Sequence, residues 1–307
     1  MTARNRYAGA LLPALFFILV LFPPALASAG TVGVLMPGRD IPYYEALHKA
    51  MTTHLQELSA DAEILLQRPA PAWMAWKNAT RKLVVFDSEV IVAYGSSTAL
   101  AVISEAEAIP LVYCAAYDPV GCGIGSHTAG VEGTFDLAGL IKNLKKISHF
   151  KKLAILYSHE EPDSGREMDA AKSAAEEGGA TVREIETHDL EKIDLSGSDA
   201  VLITSAANIN SRSALKKILA QAESKKIATA ALLGLTCEQG VLISRYVDPV
   251  AQGREAAKII ARVLEGAPVS GATELKTSVE TAINISTAKK LGLSVPFELL
   301  GSAKVVK

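Results

Sequence analysis

Apolar residues in this chain fall into short solid blocks, separated by longer stretches where they recur every three or four positions. Val90-Ile91-Val92-Ala93-Tyr94 is such a block, with the length and composition of a strand buried in a parallel sheet. Gly95-Ser96-Ser97-Thr98 follows at once. Ser and Thr favour helix N-caps, so a helix is predicted from Ala99 onward. Pro110 ends it, Leu111 to Ala115 reads as the next strand, and a loop with Tyr117-Asp118-Pro119 closes the βαβ unit. The same alternation predicts strands at 31–36, 62–66, 153–157, 181–185, 199–204 and 227–233. Helices are predicted at 43–58, 135–147, 165–178, 211–224 and 248–264. Residues 69–76 read as a proline-rich loop, 129–134 as a flexible joint, and 241–247 as an exposed strand or a crossover. Residues 273–285 read as extended and 286–291 as a short helix ended by Gly292. The sum is an α/β fold of two consecutive βαβ sets, each a Rossmann-like lobe with a parallel sheet, joined near residue 130.

The N-terminus carries a different pattern. Arg4 and Arg6 precede an apolar run from Ala8 to Leu21, Pro23-Pro24 breaks it, and Ala27-Ser28-Ala29 has the A-x-A form of an export cleavage site. The expectation is a signal peptide over 1–29, cut between Ala29 and Gly30, and an exported, periplasmic product. Beyond it no stretch is long and apolar enough to span a bilayer. Removing 1–29 leaves 29 Lys+Arg against 33 Asp+Glu, so no basic surplus points to nucleic acid. The hydrophobic share of 49% excludes a disordered chain. Cys114, Cys122 and Cys237 are an odd set for an exported protein. Cys114 and Cys122 bracket the Asp118-Pro119 loop and suit a disulfide, while buried unpaired thiols fit equally.

Motifs of catalysis are missing. Gly95-Ser96-Ser97-Thr98-Ala99 lacks the second glycine of a nucleophile elbow. No phosphate loop and no G-x-G-x-x-G after the first strand occur, and His159-Glu160 has no second His at metal-site spacing. The expectation is a binding protein with no catalytic residue, metal or cofactor. An exported hydrolase is the enzymatic alternative.

In order and spacing, several weak motifs resemble one family. They are Gly95–Ala99, Ile109-Pro110-Leu111-Val112 leading into Asp118-Pro119-Val120-Gly121, Lys152–Tyr157, and Ser198-Asp199-Ala200. Later ones are Asp248–Ala257 and Ile283–Gly292 with Pro296. The chain resembles substrate-binding proteins of ABC transporters, of the type I periplasmic binding protein class, and the branch of tryptophan- and tyrosine-binding proteins. The loop at 36–40 and the loop after Ala129 depart from the family pattern, so ligand identity does not transfer. The resemblance implies two lobes joined by crossover hinge strands and closing on a ligand. Lobe 1 would hold 30–130 plus about 247–272, and lobe 2 would hold 131–246 plus about 273–307. It implies a monomer that binds a small polar ligand, an amino acid or similar carboxylate, and delivers it to an ABC permease. A sensor feeding a membrane receptor is the alternative with the same fold. For an amino-acid-like ligand, Ser96, Ser97 and Thr98 would hold the carboxylate at a helix N-terminus. Asp118 would hold the ammonium, with Tyr117 beside it. Ser205 and Asn208 would supply hydrogen bonds from across the cleft, helped by Asp163, Ser164 and Thr236.

Overall fold

The computed structural model describes residues 30–307 apart from 60, 126–127, 134–135 and 270–277. The expected signal peptide and part of the extended reading at 273–285 lie outside the described residues. In the first lobe, β1 (Thr31–Leu35) leads to α1 (Pro42–Leu58), and β2 (Glu63–Gln67) to α2 (Trp73–Val85). Next come β3 (Val90–Tyr94), α3 (Ser96–Glu105), β4 (Leu111–Ala116) and β5 (Thr128–Glu132). These strands form one parallel sheet in the order β2-β1-β3-β4-β5. Every residue of β3 is buried, as the solid apolar block requires of a strand covered on both faces.

The second lobe contains α4 (Leu137–Ser148), β6 (Lys152–Tyr157), α5 (Pro162–Glu177), β7 (Thr181–Glu186) and β8 (Ala200–Ile203). It continues through α6 (Arg212–Ser224), β9 (Ala228–Ala231) and β10 (Ile243–Val247). The chain then forms α7 (Pro249–Leu264), β11 (Val279–Asn284), α8 (Ile285–Leu291), α9 (Phe297–Leu300) and β12 (Lys304–Val306). The second sheet runs β12-β11-β10-β9-β8-β6-β7 and is antiparallel only where β10 meets β11. Helix α7 lies along α1 of the first lobe. The chain therefore crosses between lobes three times: before α4, before α7 and before β11.

The second crossing is held by chemistry that the sequence announced. Asp248 caps α7, accepting hydrogen bonds from Val250 N at 3.0 Å and Ala251 N at 3.3 Å. Tyr43 on α1 donates to Val247 O at 3.0 Å and lies 3.1 Å from Gln252 Oε1, which ties the crossing to the first lobe. Gly253 allows α7 to touch α1, since a Cβ there would stand 2.4 Å from Leu47 O.

Four local expectations are corrected. Residues 73–85 form a helix, so the proline-rich loop expected over 69–76 ends at Ala72. Trp76, Ala79, Thr80 and Leu83 make its buried face, but exposed Val84, Val85 and Phe86 blur the period. The joint at 129–134 is instead largely β5, which pairs with β4 despite its glycine. Residues 243–247 form an interior strand, because β11 covers the edge that the alternation suggested was open. Helix α5 begins three residues early, at Pro162, whose fixed φ suits the first helical position. The three thiols are free: Cys114 and Cys237 are buried, and Cys122 is half-buried.

Candidate functional site

The carboxyl ends of β3 and β4 face the N-terminal end of α5 across the lobe boundary. Gly95, at φ 83°, is the residue before α3 and leaves β3 through a backbone conformation that a side chain would strain. A Cβ there would also lie 3.5 Å from Asp163 Oδ2 and 3.6 Å from the Tyr44 hydroxyl. The expected Ser or Thr N-cap is therefore replaced by glycine. Thr98 turns back instead, donating to Tyr94 O at 2.7 Å. At the end of β4 the register with β5 shifts, and Ala115 takes φ 57° in the irregularity. Bulges of this kind re-aim the chain beside them, and here the next N–H but one, that of Tyr117, points across the cleft.

What meets these two turns is a carboxylate of the protein itself. Asp163, in the first turn of α5, is buried and accepts from Ser96 N and Ser96 Oγ, both at 2.6 Å. It also accepts from Tyr117 N at 3.0 Å, and Cys122 Sγ lies 3.6 Å away. Two further acids of the same segment are buried beside it. Both oxygens of Glu161 face Ala207 N, at 2.9 and 3.1 Å, and Glu167 accepts from Ser205 N at 2.8 Å. Their exposures are 8% for Glu161, 6% for Asp163 and 2% for Glu167. Among the described residues no Lys, Arg or His forms an ion pair with any of the three. Burial pushes the Glu161 carboxyl up to about 8, against the pull of the Ala207 N–H. Burial likewise raises Asp163, and it raises Glu167 well above the usual carboxylate range, with the neighbouring acids adding to the rise. Tyr44 is buried next to them, and burial followed by Asp163 and Glu161 raises its phenol. Burial and Glu167 push Tyr117 up to about 12, and burial does the same for Cys122.

The remaining expected residues divide clearly. Ser97 is buried at the α3 turn, next to Ser96. Asp118 does not face the buried acids: it pairs with Arg166 of α5 at 2.6 Å, at the exposed rim between lobes. Ser205 enters through its N–H to Glu167. The side chains of Ser164, Asn208 and Thr236 are spent inside the second lobe. Ser164 Oγ bonds Ser158 N and Thr204 Oγ1, Asn208 donates to Thr187 O, and Thr236 donates to Leu233 O. Arg212 makes a second rim contact, pairing with Asp40 and, at 3.0 Å, with Glu45 of the first lobe. Glu161 and Glu167 were not singled out in the sequence. The available signal was Glu-Pro-Asp, a helix start, followed by an acid four residues after Asp163 on the same face.

Comparison with known proteins agrees with this architecture. A protein from Streptococcus pneumonia, solved in complex with L-Trp, has a TM-score of 0.84 at 22% identity, covering 91% of this chain and 100% of that one. A conserved domain protein from Vibrio cholerae matches at TM-score 0.84 and 20% identity, with the same coverage. A ligand-free, open substrate binding protein with adhesive properties from Clostridium difficile matches at TM-score 0.63 and 17% identity, covering 91% of this chain and 99% of that one. No curated protein matches the chain in sequence. The sequence profile of the family described as ABC transporter substrate binding protein matches residues 74–307. The chain belongs to that family.

Proposed function

We propose that this protein captures a small ligand bearing an ammonium group, of the amino-acid class, between its lobes and delivers it to an ABC permease. The observation that carries the ligand class is the set of three buried carboxylates, Glu161, Asp163 and Glu167, with no cation paired to them among the described residues. Burying such groups unpaired costs several kcal/mol unless they protonate or acquire a partner. Asp163 has its partners in Ser96 and Tyr117. Glu161 has one backbone N–H, Glu167 has the N–H and the side chain of Ser205, and both keep spare acceptor capacity. An ammonium between them would restore their charge and fill it. Half-buried Tyr117 offers its ring to a ligand side chain, and Ser97 offers a further polar contact. The L-Trp complex of a protein with the same fold supports an amino acid as the class. In this reading the chain is exported after cleavage at Ala29, acts as a monomer and performs no turnover.

The test is calorimetric titration and thermal shift of the purified protein. The panel holds L-amino acids, their N-acetyl derivatives, the corresponding amines, nucleosides and sugars. At a hundredfold excess over the dissociation constant, a true ligand stabilises the fold by about 2.7 kcal/mol. Amino acids or amines should bind and their N-acetyl forms should not. Equal binding of the acetylated forms, or binding confined to sugars or nucleosides, would remove the ammonium from the proposal.

A further inference from the structure

The Ser96 turn has the features of an anion site: a helix N-terminus, a hydroxyl and an N–H aimed outward. That site is filled, and its occupant comes from the opposite lobe. Both Asp163 oxygens are used, one by Ser96 N, the other by Ser96 Oγ and Tyr117 N. These contacts join α5 to the ends of both β3 and β4, and only an approach of the two lobes can form them. Charge-assisted bonds of this length, at 2.6 Å, are among the stronger polar contacts proteins make.

We propose that Asp163 is a built-in carboxylate that latches the lobes shut by occupying the first lobe's anion-binding turn. The position that would seat a ligand carboxylate is thereby reserved for the protein. The latch rests on these contacts alone. Its consequence for selectivity rests on the proposed binding function: the cleft recognises its ligand through the ammonium, and a ligand carboxylate adds little at Ser96. Asp163 is a positioning residue in this scheme, since its contacts are to the opposite lobe.

Small-angle scattering of the ligand-free protein tests the latch without any ligand. The wild type should scatter as a closed molecule, and Asp163→Ala should show a larger radius of gyration. Sodium acetate should then return the Asp163→Ala profile to the wild-type one, because acetate can enter the vacated turn. Equal sodium chloride should not, and neither salt should alter the wild type. Asp163→Asn keeps the shape but loses the charge, and should be open without recovering in acetate, because its amide still fills the space. An open wild type, a closed Asp163→Ala, or an open Asp163→Ala indifferent to acetate would each overturn the proposal. If circular dichroism shows Asp163→Ala misfolded, Asp163→Asn decides: an open profile supports the latch and a wild-type profile overturns it. The amine panel run on the wild type fails or succeeds separately from this experiment.

Discussion

A buried acid without a cation leaves a signature in the pH dependence of stability. Burial raises Glu161 from its ordinary 4.5 to about 8. The folded protein therefore binds a proton that the unfolded chain has lost. Stability from this group is complete below pH 4.5 and is given up as pH rises through 8. The ligand-free protein should accordingly lose thermal stability between pH 5 and 8, and Glu161→Gln should flatten that slope; an unchanged slope in the variant would place the titration elsewhere. Glu167 permits a sharper prediction, because the same substitution should move stability and binding in opposite directions. Glu167→Gln removes a carboxyl that burial forces to take up a proton on folding, and keeps a carbonyl to accept from Ser205 N, so the ligand-free midpoint should rise at neutral pH. It also removes half of an ammonium's partners, so affinity for an amine ligand should fall by about 1.5–3 kcal/mol, the range for a hydrogen bond to a charge. Parallel gains in both would sink the assignment.

At the scale of elements, the crossing into α7 depends on one cap and one glycine. Asp248 supplies two side-chain acceptors to the first turn of α7, and Asp248→Ala should cost about 1 kcal/mol of stability. Gly253 is a packing requirement, because a Cβ would also come within 2.8 Å of Met51 N. Backbone atoms cannot yield as a flexible side chain does, so Gly253→Ala should destabilise by about 1–3 kcal/mol. Denaturation midpoints of the two variants check both, and a neutral Gly253→Ala would mean that α1 and α7 slide apart freely. Helix α3 shows the reverse economy. Its N-terminal N–H groups are not capped by its own serines but left for a group from the other lobe, and a conventional cap at Gly95 would compete with that contact.

For the whole molecule, closure combines a buried centre with an exposed rim. Asp163 forms the centre; Asp118–Arg166 and the Arg212 contacts with Asp40 and Glu45 form the rim. The rim pairs are partly exposed and each contributes at most about 1 kcal/mol. They are also sensitive to salt, since the screening length falls from about 10 Å at 0.1 M to about 3 Å at 1 M. Arg166→Ala and Arg212→Ala should each speed ligand release modestly at low salt and match the wild type near 1 M. Stopped-flow dissociation kinetics would show this, and a salt-independent difference would mean that the rim acts through packing.

The sequence by itself determined the α/β alternation, the buried block of β3, the Asp248 cap and the family. These follow from short-range rules: period, propensity and cap chemistry act within a few residues. It also placed Ser96, Tyr117 and Asp163 among the site candidates, but as separate contacts for an outside ligand. Only the tertiary structure decided that Asp163 answers Ser96 and Tyr117, that Asp118 is committed to Arg166, and that Ser164, Asn208 and Thr236 are bound up in their own lobe. The pairs that matter are far apart in sequence, 67 residues for Ser96 and Asp163, and no local pattern records which turn faces which. Burial is likewise a property of the folded whole. Glu161 and Glu167 look like ordinary surface acids in sequence, and they become candidates for ammonium binding only because the fold buries them.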